Sequence, residues 1–253
     1  MDGLHHSLTT GRFMHHDALR AISNEPEPEK AQDCVLERGG YRVHLADSSG
    51  QHSANMLVER MYSWRGYDTE ALATPSHNPN RITLQASHGQ YLFGTLTAGL
   101  DSQEGLFADM LYPEEVNCFR LMGRKLCEMS KLAVDPQHGS KEVLASLFHL
   151  AYIYVHIIHK ATDVLIEVNP RHAAFYERRL GFRQVGEMRT CPRVNAPAVL
   201  LQIELSYMQA QIARHGGSRD PREKSLYPYF FSTDEEGLAS QTEDRDNRVR
   251  LAA

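Results

Sequence analysis

The segment Leu126-Cys-Glu-Met-Ser-Lys-Leu-Ala-Val134 runs into Asp135-Pro-Gln-His-Gly-Ser140, and a long apolar segment follows over residues 141–159. The first segment has the length and the apolar content of a β-strand. In the last segment, apolar side chains recur at the spacing of an α-helix: Leu144, Leu147, Leu150, Ala151, Tyr154 and Ile158. The stretch therefore predicts a strand, a short loop and a long helix, which together begin a β-α-β unit.

The same reading extends to both sides of this unit. Downstream, it predicts strands over 164–168, 182–187 and 198–207, and a helix over 173–180 that ends at Gly181. Upstream, it predicts a strand over 41–46, a helix over 54–62, a hairpin of 81–87 with 90–98, and a helix over 112–122. We therefore expect a mixed α/β (α+β) protein whose central sheet is mostly antiparallel and is flanked by helices.

The composition of the 253-residue chain excludes several classes of protein. Hydrophobic residues make up 42% and charged residues 23%, which is usual for a globular domain. The formal net charge of −5 argues against a nucleic-acid-binding protein, since such proteins carry a basic excess. No apolar run reaches the ~20 residues that span a bilayer, and the N-terminus has no signal-like apolar stretch. We therefore expect no transmembrane segment.

Histidine and cysteine follow no pattern that predicts a metal site or a disulfide framework. The 14 histidines include no HExxH pattern, and the four cysteines include no CxxC pair. On the predicted long helix, four side chains share one face by their spacing, which predicts a polar outer surface: His149, Tyr152, His156 and His159. Since no disulfides are indicated, the sequence favours a reducing, cytoplasmic location.

Two polar ends flank the patterned region. Residues 1–33, with an EPEPEK segment, are expected to be a disordered arm, and residues 34–215 to form one folded domain. Residues 216–253 read as a polar tail that contains an aromatic island at 226–231, Leu226-Tyr-Pro-Tyr-Phe-Phe231. This island is too small to form a core of its own, so we expect it to dock on the domain or on a partner.

The second half of the patterned region resembles the core of the GNAT acyltransferases. In that fold, the two strands that correspond to 126–134 and 164–168 splay apart, and the thioester arm of the donor inserts between them. An Asn after the second strand and a Tyr on the next helix recur in the family ahead of a Gly-Phe pair. Here Asn169, Tyr176 and Gly181-Phe182 match them, with Tyr176 one residue farther from Gly181 than usual. The resemblance implies a GNAT-like domain over residues 34–215.

The middle of the chain is similar to a narrower family, the bacterial long-chain N-acyl amino acid synthases typified by the N-acyl tyrosine synthases. The similar segments lie within residues 41–206: Tyr62-Ser-Trp-Arg-Gly-Tyr67, Gly94-Thr-Leu-Thr97, Asp101-Ser102, Gly105-Leu106, Asp109, Glu115, the strand 126–134, Asn169-Pro-Arg-His172 and Phe175-Tyr176. The Glu128-x-x-Lys131 pair is also similar to the Glu-x-x-Arg of the acyl-homoserine lactone synthases, although Lys replaces a bidentate fork with a point charge.

The resemblance implies transfer of a medium or long acyl chain from a thioester to the α-amine of an amino acid. It implies that Glu128 accepts the amine proton and that Tyr176 protonates the leaving thiolate. The alternatives are a salt bridge on a strand for Glu128 and a core aromatic for Tyr176. In a regular strand Glu128 and Lys131 point to opposite faces, so a joint role requires the β-bulge that GNAT strands usually carry here.

The resemblance also implies which residues bind the two substrates. The acceptor is expected to meet Trp64, Arg65, Tyr67, Lys131, Asn169, Arg171 and His172. Within this set, Arg65 would bind the carboxylate and Trp64 would form a wall of the acyl pocket. The acyl donor is expected to meet Val134, Gln137, Gly139, Ser140 and Lys141. For most of these positions a packing, capping or solvent-exposed role is the alternative.

Acyl carrier protein (ACP) is the expected donor partner, with CoA as a poor substitute and with no bound cofactor or metal. CoA-using GNAT proteins bind diphosphate with a Gln/Arg-x-x-Gly-x-Gly/Ala loop at a helix N-terminus. Here Gln137-His-Gly-Ser-Lys-Glu142 has its first glycine one residue early, lacks the second and adds an acidic side chain. A basic patch for the acidic carrier is expected from Lys141, Lys160, Arg171, Arg178 and Arg179.

Three other functions are compatible with the same residues. Two are enzymatic: a signal synthase of the acyl-homoserine lactone type, and a CoA-dependent N-acetyltransferase. The third is a degenerate GNAT domain that binds a partner without catalysis. For the favoured function we also expect contact with a membrane surface through the lipid product.

Overall fold

The computed structural model describes residues 35–69 and 78–232, and within these ranges eight strands form one sheet. The strands are β1 (Val35–Arg38), β2 (Tyr41–Leu45), β3 (Arg81–His88), β4 (Tyr91–Leu100), β5 (Leu126–Val134), β6 (Asp163–Val168), β7 (Arg183–Cys191) and β8 (Ala196–Glu204). Their order across the sheet is β1-β2-β3-β4-β5-β6-β8-β7. Each neighbouring pair is antiparallel except β5 with β6, so the expected mixed, mostly antiparallel sheet is confirmed.

Five α-helices flank the sheet in the described part of the chain: α1 (Ser48–Ser63), α2 (Pro113–Leu121), α3 (Lys141–Tyr152), α4 (Pro170–Leu180) and α5 (Leu205–His215). Local sequence explains several of their ends. Asp47 accepts a hydrogen bond from the Gly50 amide at the start of α1, and Ser140 accepts one from the Val143 amide at the start of α3. Helix α4 ends at Gly181, whose φ of 87° suits glycine.

The helices cover opposite faces of the sheet. Helices α3, α4 and α5 pack on one face and build the main core with strand side chains such as Leu96, Met129 and Ile166. Helices α1 and α2 pack on the other face, where two smaller clusters include Leu57 and Tyr112. We call these two sides the α3 face and the α1 face.

Several elements differ from the expectation based on sequence. The last strand ends at Glu204, and α5 follows at once, with Leu205, Met208 and Ile212 buried at helical spacing. The helix predicted over 141–159 changes at Ile153 into a π-helix that ends at Ile158. In addition to the expected elements, the chain forms β1 and a 3₁₀ helix over Phe107–Met110, and α1 begins six residues before its expected start at 54.

The aromatic island at 226–231 packs against α3 and completes the main core. It buries four side chains there: Leu226, Tyr227, Phe230 and Phe231. The ring centroids of Phe230 and Phe231 each lie 5.4 Å from that of His149. The prediction that His149 and Tyr152 lie on a polar outer face is wrong, since both are buried. Their spacing does place them on one side of α3, but an aromatic segment from much later in the chain packs over His149.

The continuous helix from Lys141 to Ile158 is long and apolar enough, by composition, to cross a membrane. Most of this segment is buried inside the domain, where its side chains form the main core, as in the core helix of a folded protein. The expectations for the arm at 1–33 and for the tail after residue 232 lie outside the described residues.

Candidate active site

The central strands β5 and β6 pair over a short distance and then separate. Their parallel ladder joins Leu126–Glu128 to Asp163–Leu165, whereas β5 continues to Val134 and β6 to Val168. A cavity of about 460 Å³ lies at the separated ends and is lined by side chains from both faces of the sheet. This is the splayed arrangement that the GNAT resemblance implies.

A β-bulge in β5 changes the face of the sheet to which its side chains point beyond Ser130. The pairing with β4 moves from Ser130 to Ala133 while β4 advances by two residues, so β5 holds one extra residue. Within the bulge, Lys131 adopts a left-handed φ of 51°. Lys131 consequently points to the α1 face, as Glu128 does, and its ammonium donates to Asn55 Oδ1 of α1 at 3.5 Å, which regular alternation from Glu128 would prevent. The bulge required for a joint role of Glu128 and Lys131 is therefore present.

Glu128 is 4% exposed, and both of its carboxylate oxygens accept hydrogen bonds. Oε1 accepts from the Phe107 amide at 2.8 Å, and Oε2 accepts from the Ala108 amide at 3.1 Å. The Arg81 guanidinium lies 3.5 Å from Oε1, so the salt bridge considered with Lys131 is instead made with Arg81. Burial raises the pKa of Glu128 to about 7, against the opposing effect of these partners.

A glycine and an aromatic ring hold the partners of this carboxylate in place. Arg81, Gly99 and Glu128 lie opposite one another across β3, β4 and β5. A Cβ on Gly99 would lie 3.2 Å from the Arg81 side chain and 3.5 Å from that of Glu128, so glycine leaves room for their contact. The Arg81 guanidinium stacks 3.6 Å from the Phe107 ring centroid, and Arg193 lies 4.5 Å from the same centroid.

A second carboxylate, Glu167 of β6, also lines the cavity. Its side chain is 8% exposed, and its Oε2 forms an ion pair with Arg193 and accepts from the Cys191 thiol at 3.6 Å. Burial raises the pKa of Glu167, and the Arg193 charge opposes that rise. Lys131 shares this charged half of the cavity, where burial and two nearby arginines lower its pKa.

On the α3 face the cavity is lined by apolar side chains. They come from β4, β5 and β6 and from helices α3 and α4: Leu96, Met129, Leu144, Phe148, Ile166, Val168 and Phe175. A lining of this kind accepts hydrocarbon and excludes water. The cavity therefore has a charged half on the α1 face and an apolar half on the α3 face, joined where β5 and β6 separate.

Tyr176 is part of the cavity wall and also packs within the seam between α4 and the sheet. Its ring meets those of Phe148, Phe175 and Phe182 edge-on, at centroid distances of 6.5, 5.3 and 5.9 Å. Burial raises the pKa of Tyr176, and two neighbouring tyrosines add to the rise. From the sequence, a role for Tyr176 in the core and a role in the active site were alternatives. In the structure the same side chain packs against the core and lines the cavity.

Most of the residues predicted to bind the acceptor lie around one end of the cavity. Four of them line it in addition to Lys131: Arg65, Tyr67, Asn169 and His172. Arg171 donates to the Tyr67 hydroxyl at 2.9 Å and so braces this group from outside. The Asn169 side chain accepts from the Arg171 amide at 3.2 Å, which gives it the turn-forming role considered as its alternative.

Trp64 lies away from the cavity lining. Its side chain is 72% exposed just after α1, and the Arg65 guanidinium lies 5.5 Å from its ring. The chain turns directly afterwards at Gly66, which has a φ of 77°. The prediction that Trp64 forms a wall of the acyl pocket is therefore wrong, because the helix end directs the indole toward solvent.

The residues predicted to bind the acyl donor are divided between two cavities. Val134 lines the main cavity, and a Cβ on Gly139 would lie 3.5 Å from the Val134 side chain. Ser140 caps α3 and borders a second cavity of about 500 Å³, which Arg38 and Arg219 also line. The structure brings Val134 and Gly139 together and places Ser140 on a different concave surface.

The remaining donor residues and the expected basic patch are also spread out. The Gln137 amide donates to Asp135 at 3.0 Å, and the Lys141 ammonium lies 5.3 Å from the Tyr229 ring. Lys141 begins α3, whereas Lys160 follows the π-helix that continues it, which separates them by roughly 27 Å. Lys141 and Lys160 are therefore too far apart to belong to one compact basic patch.

Sequence reasoning misses three polar residues of the cavity, which are Glu167, Cys191 and Arg193. It also misses Arg81, which lies outside the lining and contacts Glu128. A signal exists for Glu167, because it precedes Asn169 by two residues within a predicted strand. Arg81 and Arg193 lie 47 and 65 positions from Glu128 in sequence, so only the folded sheet reveals their proximity. Within the described ranges, no group of three or more His, Cys, Asp or Glu side chains is placed to hold a metal ion.

Comparisons with known proteins agree with this geometry. Residues 53–204 match the family model of the N-acyl amino acid synthase FeeM. The solved structure of FeeM, an N-acyl amino acid synthase from uncultured soil microbes, superposes with a TM-score of 0.63 at 28% identity. That superposition covers 67% of this chain and 94% of FeeM. No curated protein sequence matches the chain.

Other solved structures have lower TM-scores and lower sequence identities to this chain. The AHL synthase LasI has a TM-score of 0.46 and 13% identity, over 65% of this chain and 90% of its own. An acyl-CoA N-acyltransferase from Pseudomonas aeruginosa has a TM-score of 0.46 and 12% identity, and the superposition covers 64% of this chain and 97% of that protein. The family match at 53–204 spans more than half of the 253 residues. The chain is therefore an acyltransferase of GNAT-like fold and belongs to the FeeM family of N-acyl amino acid synthases.

Proposed function

We propose that the chain transfers a medium or long acyl chain from a carrier-bound thioester to the α-amine of an amino acid. The observation that carries this proposal is the division of one cavity into an apolar half and a charged half between β5 and β6. The acyl chain would occupy the apolar half among Leu144, Phe148 and Phe175, and the amino acid would occupy the charged half. The thioester carbonyl would then lie where the strands separate.

The reaction requires the acceptor ammonium to lose a proton before its nitrogen attacks the thioester. We assign the proton to Glu128, directly or through a water molecule. A carboxyl whose pKa is about 7 is divided between its two protonation states at neutral pH, which suits a general base. The two amides and Arg81 fix its position, so little reorganisation is needed when the amine arrives.

The thiolate of the carrier must then leave with a proton. We assign this proton to Tyr176, because burial raises its pKa and keeps the phenol protonated at neutral pH. The phenolate then regains a proton from the attacking nitrogen, which loses its second proton as the amide forms. Holding the amine and the thioester together supplies a large part of the rate, so the enzyme needs no covalent intermediate.

We further propose acyl-ACP as the donor, with the reaction in the cytoplasm of a bacterium. The loop before α3 lacks the second glycine of a diphosphate loop, and Glu142 in its first turn lines the second cavity. A carrier-borne phosphopantetheine has one phosphate and no adenosine, so it does not require that loop. The exposed free thiol of Cys118 is compatible with a reducing compartment.

The donor is tested by steady-state kinetics with the same acyl chain on ACP and on CoA, at low and at raised salt. We expect kcat/KM to be higher with acyl-ACP. We also expect it to fall as ionic strength rises, because an acidic carrier at the start of α3 would meet Lys141 and the Arg38 and Arg219 side chains of the second cavity. Equal kcat/KM with both donors, or a kcat/KM for acyl-ACP that does not change with ionic strength, would count against ACP as the donor.

The reaction is tested by mass spectrometry of lipid extracts from bacteria that express the chain. We expect N-acyl amino acids that are far less abundant in cells carrying the Glu128→Gln variant at equal expression. Acyl-homoserine lactones in their place would favour a signal synthase, and N-acetylated products would favour an acetyltransferase. A lipid profile unchanged by the wild-type chain would favour a binding module.

A further inference from the structure

Glu167 lines the cavity, but the proposed reaction assigns no role to it. It lies on β6 two residues after Leu165, and Leu165 pairs with Glu128 across the parallel ladder. Because side chains alternate along a strand, Leu165 and Glu167 project from the same face of the sheet. Leu165 packs in the cluster of the α1 face, so both carboxylates of the cavity project to that face.

The two oxygens of Glu167 are in different situations. Oε2 is held by Arg193 and by the Cys191 thiol, and Arg193 is itself stacked near the Phe107 ring. Oε1 is buried and accepts no hydrogen bond from any of the described residues. A buried acceptor without a partner is costly, so a donor group that enters the cavity beside it would stabilise the folded protein.

Glu128 differs in this respect, because a backbone amide occupies each of its oxygens. The protein thus supplies a donor to each oxygen of Glu128, whereas it supplies donors to Oε2 of Glu167 and none to the buried Oε1. Burial raises the pKa of Glu167 and Arg193 counteracts this, so an arriving cation would further favour the ionised carboxylate.

We propose that Glu167 binds the ammonium group of the acceptor amino acid through Oε1, with Arg193 as the positioning residue that orients the carboxylate. This inference rests on the proposed function and names the residue that recognises its acceptor. It places the amine on the face of the sheet where Glu128 lies, opposite the apolar half. It also predicts selection for acceptors that carry a positive charge at the reacting nitrogen.

The first test measures kinetics of the full chain with acyl-ACP while the amino acid is varied. Glu167→Gln should raise the KM for the amino acid by roughly 10- to 100-fold, as expected when a hydrogen bond to a charged group is lost. The KM for acyl-ACP should change little. Glu187→Gln, an exposed glutamate on β7, is the matched control and should behave as the wild type. An unchanged KM for the amino acid in a folded Glu167→Gln variant would overturn the proposal.

The second test does not depend on turnover. Calorimetric titration without donor compares the amino acid with the α-hydroxy acid of the same side chain. The wild type should bind the amino acid more tightly, and Glu167→Gln should reduce that preference, which a purely structural role would not do. Equal binding of both ligands by the wild type would overturn the proposal, even if N-acyl amino acids are formed. Preference for the amino acid without any acyl transfer would refute the proposed function alone.

Glu167→Gln leaves Arg193 as an unpaired buried charge. If this prevents the variant from folding, a second variant keeps the proposal testable. Glu167→Gln/Arg193→Gln removes both charges together, which proteins tolerate better than the loss of one partner. Its expected result is the same rise in KM for the amino acid and the same lost preference. A double variant that retains wild-type values for both would contradict the proposal.

Discussion

Two opposing influences act on Glu128. Burial disfavours its charge, while two amides and Arg81 favour it, and burial prevails, so its pKa is about 7 instead of the ordinary 4.5. Since the folded-state pKa is the higher one, stability from this group is complete below about pH 4.5 and is lost as the pH rises through 7. The same carboxyl becomes a competent base over the upper part of that range, so the gain in basicity accompanies a loss of stability.

Glu128→Gln should lower kcat by about 10²-fold, since it removes the proposed general base while the shape is kept. The wild-type rate should rise with pH around an apparent pKa near 7, and the variant should lack this rise. Melting temperatures between pH 4.5 and 7 should depend less on pH in the variant. A soluble, cooperatively melting variant with full activity at every pH would show that Glu128 is not the base.

The sequence could indicate Glu128 as a candidate base, but it could not indicate the environment of this carboxyl group. The strand that carries it is predicted with its observed bounds, because its apolar residues and the following loop are local signals. Its raised pKa depends on amides from the 3₁₀ helix at Phe107–Met110 and on Arg81 of β3. These groups are brought together by strand register and by Gly99, and no local pattern encodes that register.

At the level of elements, the bulge in β5 aligns the charged side chains of the cavity. Lys131 has a φ of 51° there, a conformation that costs a residue with a Cβ roughly 1–2 kcal/mol. The chain accepts this strain in a central strand, where a bulge also shifts the pairing with β4. Strain of this kind is common at functional sites, and here it turns Lys131 toward the same cavity as Glu128.

Lys131→Gly and Lys131→Ala both remove the ammonium group, so their difference isolates the backbone. We expect Lys131→Gly to be more stable by roughly 0.5–1 kcal/mol, since glycine adopts this φ without strain but loses more entropy on folding. Chemical denaturation of both variants measures the difference. Equal activities in the two would assign any change in rate to the ammonium, and a more stable Lys131→Ala would contradict the bulge geometry.

At the level of the whole molecule, segments that are far apart in sequence form one hydrophobic core. The aromatic island covers His149 of α3, and α5 bridges from the last strand toward it. The spacing of Leu205, Met208 and Ile212 is that of a helix, so the sequence did contain a signal for α5. Because α5 follows β8 without a turn, the predicted strand extends too far, to residue 207. The docking place of the island could not be read from the sequence, because its partners lie about 80 residues earlier.

Phe230→Ala should lower the free energy of unfolding by about 3–5 kcal/mol, because this ring is fully buried between His149 and Tyr227. Removal of residues 1–30 and 236–253 should leave the melting temperature almost unchanged, since these charged segments have little apolar surface to bury. Thermal denaturation of both proteins checks the contrast. Aggregation after the outer deletions, or a stable Phe230→Ala, would contradict it.

The position of the aromatic island also affects how the protein is made. Helix α3 ends at Tyr152 and emerges from the ribosome well before residues 226–231, so part of its apolar surface stays uncovered while roughly 80 further residues are synthesised. At the usual ~5–20 residues per second, that interval is on the order of 10 s. The nascent chain is therefore exposed to aggregation, and to chaperones, while β6, β7 and β8 are translated.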